Sequence, residues 1–548
     1  MKQDSISKEI FLTESTSSVI HRRSAPWPLI VLSIIISFIF IIPFVYLTVR
    51  NVEDFEVFSS LVRSSEIIYP LLRTLSLAFS VALLASLIGI FLAWVTIRTN
   101  IRWKMFWRII CPLPLVFPSF VVATAFLSAY APGGMIQELL IPLGFREFSR
   151  IEGFFGSLFV LIFITYPYVY LPVAAKLSNL PPSLEETALL LGYRPLKSFR
   201  KVIWPQIFPS SRAGSLLIFL YVVSDFGVVQ LMGYSTLTTK IFNTRLADTQ
   251  LALALGLVIG ILALLIVLTE KMLRSDNVSQ INDFLGTPLV HRLGKWEPLI
   301  LLSLIVTLGI SLFLPLMILF WWAYRGFIND APGFVSSSTI TSLISPAINT
   351  VSISLLTAII AVVIVLPIAF LCVRYRSITS APIQAFVVGG FALPGLVIAL
   401  SMVFLALHVP GFTFLYQTLP ILLLAYVIHF GAQAYRSAEV GILSINPKLG
   451  EVSRTLGTNR FERLWKIEFP QMLPSLAAGG GLVMLSTMKE LPATLLAAPI
   501  NFKTLATHIW STNEAGFLAE AGLSALVLVI LSALLTWFVV IKNARHLT

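Results

Sequence analysis

The sequence predicts an all-α membrane protein of about twelve transmembrane helices, arranged as two parallel six-helix repeats. Three observations lead there. Hydrophobic residues make up 57% of the 548-residue chain and charged residues only 12%, against about 25% charged in soluble domains. Uncharged apolar runs of membrane-spanning length recur along the chain. One local pattern also occurs twice, 265 residues apart: Glu186, Gly192 and Pro205 in the first copy, Glu451, Gly457 and Pro470 in the second. Glu to Gly is six positions in both copies, and Gly to Pro is thirteen.

Taken in order, residues 1–27 are polar and read as a cytoplasmic N-terminal segment. They show no cleavable signal pattern, and the run that follows is long enough to remain as a membrane anchor. The first half, 28–270, holds apolar stretches near 28–49, 74–97, 109–130, 154–175, 213–234 and 251–269. Residues 271–297 are the one break in composition and read as a cytoplasmic linker. The second half, 298–548, holds stretches near 298–324, 349–373, 381–408, 415–435, 476–499 and 521–541. Prolines 43, 114, 118, 315, 367 and 394 fall within these runs, and membrane helices accept such positions where neighbours satisfy the freed backbone groups.

The repeat extends beyond the doubled motif. Thr74 pairs with Thr350, Arg98 with Arg374 and Pro118 with Pro394, all at an offset of 276. The fall from 276 to 265 leaves eleven extra residues in the first half, placed most simply in the loop from Pro132 to Gly153. Loop charge sets the expected orientation. With the N-terminus inside, inner segments carry 28 of the 38 Lys and Arg, outer loops carry nine, and Lys489 lies in a span. That excess fits the positive-inside rule and puts both termini and both copies of the motif in the cytoplasm. The formal charge of +12 is therefore explained by topology. No basic stripe interleaved with aromatics suggests nucleic acid.

Around the motif, each copy encodes two short helices about a glycine that takes a left-handed conformation cheaply. Ser183 and Glu186 have the spacing of a capping box, and Asn446-Pro447 that of an N-cap followed by proline. Beyond the glycine, Leu196 and Phe199 match Phe461 and Leu464, apolar positions on roughly one helical face among basic residues. An amphipathic helix lying on anionic lipid would show the same pattern once; its double occurrence in register favours a protein partner.

These segments, near 181–210 and 446–475, resemble the cytoplasmic "EAA" loop of bacterial ABC importer permeases, with Trp204 in place of the usual Leu before Pro205. The resemblance implies the type I importer permease fold in the bacterial inner membrane. It also implies two ATPase subunits gripped through Glu186, Gly192, Leu196, Phe199 and Pro205 and through Glu451, Gly457, Phe461, Leu464 and Pro470, and a periplasmic or lipoprotein substrate-binding protein. The chain has no phosphate-cradling Gly-x-x-x-x-Gly-Lys-Ser/Thr sequence. It is therefore expected to be a transport subunit rather than an enzyme, with ATP and its magnesium on the partner and no cofactor of its own.

Charge inside a span costs about 2.5–3.5 kcal/mol on insertion scales and marks function by default. Asp225 falls in the span near 213–234, and Lys489 and Glu490 in that near 476–499; the two acids are again 265 apart. A pathway pair facing across a pseudo-twofold axis and a structural Lys–carboxylate pair are both open readings. Cys111, Cys372 and six scattered histidines offer no disulfide framework and no metal-ligand spacing, so no metal ligand is assigned. The segments from Lys489 to Leu496 and from Ser224 to Gly227 are similar to those of fused permeases for ferric iron. That resemblance implies iron as the cargo, with thiamine, a polyamine or another small solute as alternatives. A secondary transporter is the competing class, since some are also built from parallel six-span halves.

Overall fold

A computed structural model describes residues 25–131, 134–144, 152–273, 289–328, 336–375, 380–391, 393–446 and 457–544, together with 449, 452, 453 and 455. Most of the linker, residues 274–288, lies outside them.

Each of the twelve expected spans overlaps a helix. Among the described residues, eight helices are long and apolar enough to cross a membrane, or ten when each of two bent pairs counts as one span. The remaining positions are occupied by Leu419–Leu443 and Phe469–Met488, of 25 and 20 residues. At 1.5 Å per residue both approach or exceed the thickness of a hydrocarbon core. They are diluted by polar residues such as His429, Gln433 and Ser486, which line an internal cavity. Facing protein and cavity rather than lipid, they need less apolar character than a lone span.

Each half uses the same central trio. Ser65–Arg98, Pro167–Ser178 and Trp204–Ser224 pack on one another in the first, and Ser336–Phe370, Leu419–Leu443 and Phe469–Met488 in the second. The halves also exchange their first spans. Trp27–Glu53 packs against Ser380–Gly390 and Gly395–His408 of the second half, while Leu314–Ile328 packs against Ser119–Ala129 of the first. There the Trp322 indole donates to Ser128 O at 3.2 Å. The inserted loop between 132 and 153 contains a short helix, Met135–Leu140, whose Glu138 forms an ion pair with Arg325 of the second half.

The paired threonines do identical work. Thr74 Oγ1 donates to Pro70 O at 2.7 Å and accepts from Leu237 N at 3.0 Å. Thr350 Oγ1 donates to Pro346 O and accepts from Leu505 N, both at 2.7 Å. Each pins the start of a short helix, Leu237–Thr244 or Leu505–Glu514, to a long span. Buried hydroxyls that both donate and accept leave no polar group unpaired in apolar surroundings.

Prolines 118 and 394 stand where the third span of each half breaks. Lys104–Val116 and Ser119–Ala129 meet at 90°, and Ser380–Gly390 and Gly395–His408 at 101°. A proline has no N–H and disfavours helix in the residue before it, so the chain is non-helical just ahead of each proline and a new helix starts just after.

Candidate functional site

The two loops fold as their glycines dictate. Pro182–Leu190 ends in Gly192 at φ 81°, with Gly192 N donating to Leu189 O and Tyr193 N to Ala188 O, both at 3.0 Å. In the second copy Gly457 has φ 77°, and Thr458 N donates to Ser453 O at 3.1 Å. These bonds close the helix end and need a left-handed residue between them. The capping box expected at Ser183 does not form. Pro182 opens the helix, which puts Ser183 within the first turn, and no side chain caps Pro181. Glu451 lies outside the described residues, as do Pro447 and the side chains of Leu196 and Phe461.

After the glycine, each loop runs into its long helix through one π-turn, Phe199–Ile203 and Leu464–Glu468, at the same repeat position. Pro205 and Pro470 lie in the first turn of the helices that follow. Lacking an N–H, they disturb the ordinary ladder, and the wider turn absorbs the disturbance. Glu186 is exposed at the loop surface beside Leu190 and Leu191, which are 87% and 72% exposed. Leu449, Val452 and Trp465 are exposed on the second copy. Phe199, by contrast, packs edge-on against Trp94 at 4.9 Å, and Leu464 is half-buried.

Beneath each loop sits a charge cluster that sequence reading missed. Arg98 Nη1 lies 3.4 Å from Glu185 Oε2, and Arg98 Nη2 donates to Leu180 O at 3.4 Å. Glu185 Oε1 is 2.7 Å from His291 Nε2, and His291 stacks on Trp94 at 5.5 Å. In the second half Arg463 Nε donates to Glu468 Oε1 at 3.1 Å, and Arg374 Nη2 is 3.9 Å from Glu468 Oε2. The signal available was the Arg that ends Ser65–Arg98 and stands one residue before the end of Leu371–Tyr375; a basic residue at so apolar a helix end implies an acid nearby.

The intramembrane charges lie elsewhere than the sequence suggested. The spans expected near 213–234 and 476–499 are shifted: the helices end at Ser224 and Met488, and the charges occupy the breaks that follow. Asp225 is extended, with φ −67° and ψ 134°. Its Oδ2 accepts from Val228 N at 3.0 Å and its Oδ1 from the Ser119 hydroxyl at 2.7 Å. Glu490 Oε1 accepts from Ala493 N at 3.1 Å. Each acid thus caps the short helix after it, Gly227–Leu231 or Pro492–Ala497, which lowers the desolvation penalty a carboxylate would meet inside a continuous span. Lys489 makes no ion pair among the described residues. Its Nζ donates to Leu115 O of the first half at 2.7 Å, so it joins the halves through a carbonyl rather than a carboxylate.

Asp225, Lys489 and Glu490 nevertheless share one place. They line a cavity of about 500 Å³ between the halves, with Ser119, Tyr221, His429, Gln433 and Ser486. Both breaks of the third spans, at Pro118 and Gly395, open onto it. Of the polar lining, the sequence singles out the three charges, while His429 is one of the six scattered histidines. The others carry no signal on their own, because a Ser, Tyr or Gln in a membrane helix gains a role only from what the fold sets opposite it.

Residues 85–273 and 361–543 both match the family described as binding-protein-dependent transport system inner membrane component. The Fe(3+)-transport system permease protein FbpB 2 of Haemophilus influenzae is 30% identical over 534 residues, covering 93% of this chain and 97% of that relative. The ferric transport system permease protein FbpB of Actinobacillus pleuropneumoniae is 22% identical over 541 residues, 92% of this chain and 76% of that relative. The inner membrane ABC transporter permease protein YdcU of Escherichia coli is 33% identical over 177 residues, 30% of this chain and 56% of its own length.

Proposed function

The chain belongs to the binding-protein-dependent transport system inner membrane component family, the membrane-spanning subunits of ABC importers, and on that premise we propose that it forms the translocation pathway for ferric iron. The observation that carries the proposal is the central cavity, where equivalent breaks in the two halves present Asp225 and Glu490. Carboxylate oxygen suits a hard cation. The similarity to ferric permeases along nearly the whole chain supports this cargo over an organic solute.

In this reading residues 28–270 and 298–548 are the two permease halves, joined by the linker 271–297, and one copy of the chain supplies the whole pathway. Each loop seats one ATPase subunit, with Glu186 and Glu451 reaching it and the exposed leucines at 190 and 191 covered by it. Basic loop charge puts both loops and both termini in the cytoplasm. ATP and its Mg²⁺ remain on the partners. The opposite face receives the substrate-binding protein, and lipid covers the perimeter; nucleic acid plays no part.

The test combines folded abundance with ATP-driven uptake of ferric iron in vesicles holding the assembled transporter. The double variant Asp225→Asn, Glu490→Gln should insert, assemble with two ATPase subunits per chain by native mass, and lose most uptake. Normal uptake at normal abundance would sink the pathway reading.

A further inference from the structure

The two acids hold equivalent positions, yet their oxygens are treated differently. Asp225 is buried, and each of its oxygens has a donor, the Ser119 hydroxyl on one and the Val228 amide on the other. Glu490 is only half-buried; its Oε1 takes the Ala493 amide, and its Oε2 has no donor among the described residues. The repeat offset of 276 that relates Pro118 to Pro394 also relates Ser119 to Gly395. The residue that binds up the acid in the first half is therefore replaced by a bare backbone in the second. A Cβ on Gly395 would collide with Glu490 Oε1 and lie 3.2 Å from its Cδ. Glutamate is one methylene longer than aspartate, and the missing side chain at 395 is the space into which that extra length reaches.

We propose that the residue at this position, Ser119 or Gly395, decides which acid meets the cargo, and that Gly395 keeps Glu490 as the carboxylate that presents an unbound oxygen to the cavity. The inference rests on the pathway reading above and assigns unequal roles within it. A hydrogen bond donated to a carboxylate oxygen draws off the charge that a hard cation would use, and in a cavity walled by packed helices that competition is stronger than in bulk water. Asp225, held at both oxygens, serves as a cap and as background negative charge. Glu490, held at one, is the contact. Gly395 acts through Glu490 and is a positioning residue.

The experiment is Gly395→Ser in the complete transporter, with ferric iron delivered by its binding protein and initial uptake rates measured against iron concentration. The new Cβ meets the end of a flexible side chain rather than backbone, so the carboxylate shifts and the helices stay. Folded abundance should be unchanged and the KM for iron uptake should rise about tenfold, which converts to about 1.4 kcal/mol of lost contact. Because the serine could crowd the break, Gly395→Ser is also combined with Glu490→Asp, which rebuilds the first half's arrangement in the second. The double variant should be as abundant as the parent and should retain the raised KM. An unchanged KM in either variant, at normal abundance, overturns the proposal. If Glu490→Gln alone leaves uptake normal, the pathway reading has failed. If Glu490→Gln impairs uptake while Gly395→Ser leaves KM unchanged, that reading stands and this inference falls.

Discussion

The clusters beneath the two loops start from one inherited element and satisfy it in different ways. Arg98 and Arg374 occupy the same repeat position. Arg98 is 1% exposed and faces Glu185, itself 4% exposed, which comes from the helix before the glycine. The equivalent of Glu185 in the second copy is Gly450, and there the counter-charge is Glu468, from the π-turn after the glycine. Arg374 is 31% exposed and shares that acid with Arg463. The first cluster is also held by the linker: His291 N donates to Arg98 O at 2.8 Å, Asn100 N donates to His291 O at 3.1 Å, and the imidazole reaches Glu185. What persists between the copies is the requirement that a cation at this depth face an acid. Which element supplies the acid is free to drift, because the fold brings both sides of the glycine under the same arginine.

This comparison predicts unequal responses. The largest is expected for Glu185→Gln. Arg98 would keep its charge in a buried site with no carboxylate within reach among the described residues, and loss of one partner of such a pair costs about 3–5 kcal/mol. Thermal unfolding in detergent and folded abundance should both fall sharply. Glu468→Gln should cost about 1 kcal/mol, since its arginines are partly open to solvent. Equal losses would break the contrast drawn between the two bases.

A middle-sized effect is expected at the glycines, where the halves should behave alike. Gly192→Val and Gly457→Val each place a branched residue in the left-handed region, at about 1–2 kcal/mol, and nothing lies within 4 Å of either new Cβ. The strain is thus confined to the backbone of the loop. Co-purification with the ATPase and ATP-driven uptake should drop in both while membrane insertion persists. A defect in one copy alone would extend the asymmetry of the charge clusters to the loops themselves.

The smallest effect sharpens the role of the linker. His291→Ala leaves Glu185 with Arg98 but removes one contact on its second oxygen, a loss of about 1 kcal/mol. A double-mutant cycle of His291→Ala with Glu185→Gln should show a coupling of similar size, and His291→Ala with Glu468→Gln should show none. Coupling to Glu468 would mean that the linker ties the two bases together rather than serving the first.

Sequence by itself determined whatever depends on chain-local physics. Apolar run length pointed to twelve helical spans, two of them displaced along the chain from the expected ranges, because burying a backbone in hydrocarbon requires helix. Motif spacing located Gly192 and Gly457, because ending a helix and turning at once requires a left-handed residue. The threonine and arginine pairs marked the second helix and its end in both halves; the proline pair fell in the third span, whose break the structure shows. Even local rules failed where two competed: Pro182 opened the helix before Ser183 could cap it.

Only the tertiary structure decided which groups meet. Apolar run length put Asp225 and Glu490 inside spans. Capping bonds to Val228 and Ala493, and Ser119 from another span, place them at breaks instead. Lys489 looked like a partner for either acid until the carbonyl of Leu115, 374 residues away, accepted its hydrogen bond. Glu185 was one more acid in the loop, unremarked beside Glu186, until Arg98 and His291 closed around it. A hydrogen bond or ion pair is decided within about 3–4 Å, and at that scale neighbours come from wherever the fold delivers them. Composition and spacing can therefore name the helices and turns, while the assignment of charges to partners belongs to the folded chain.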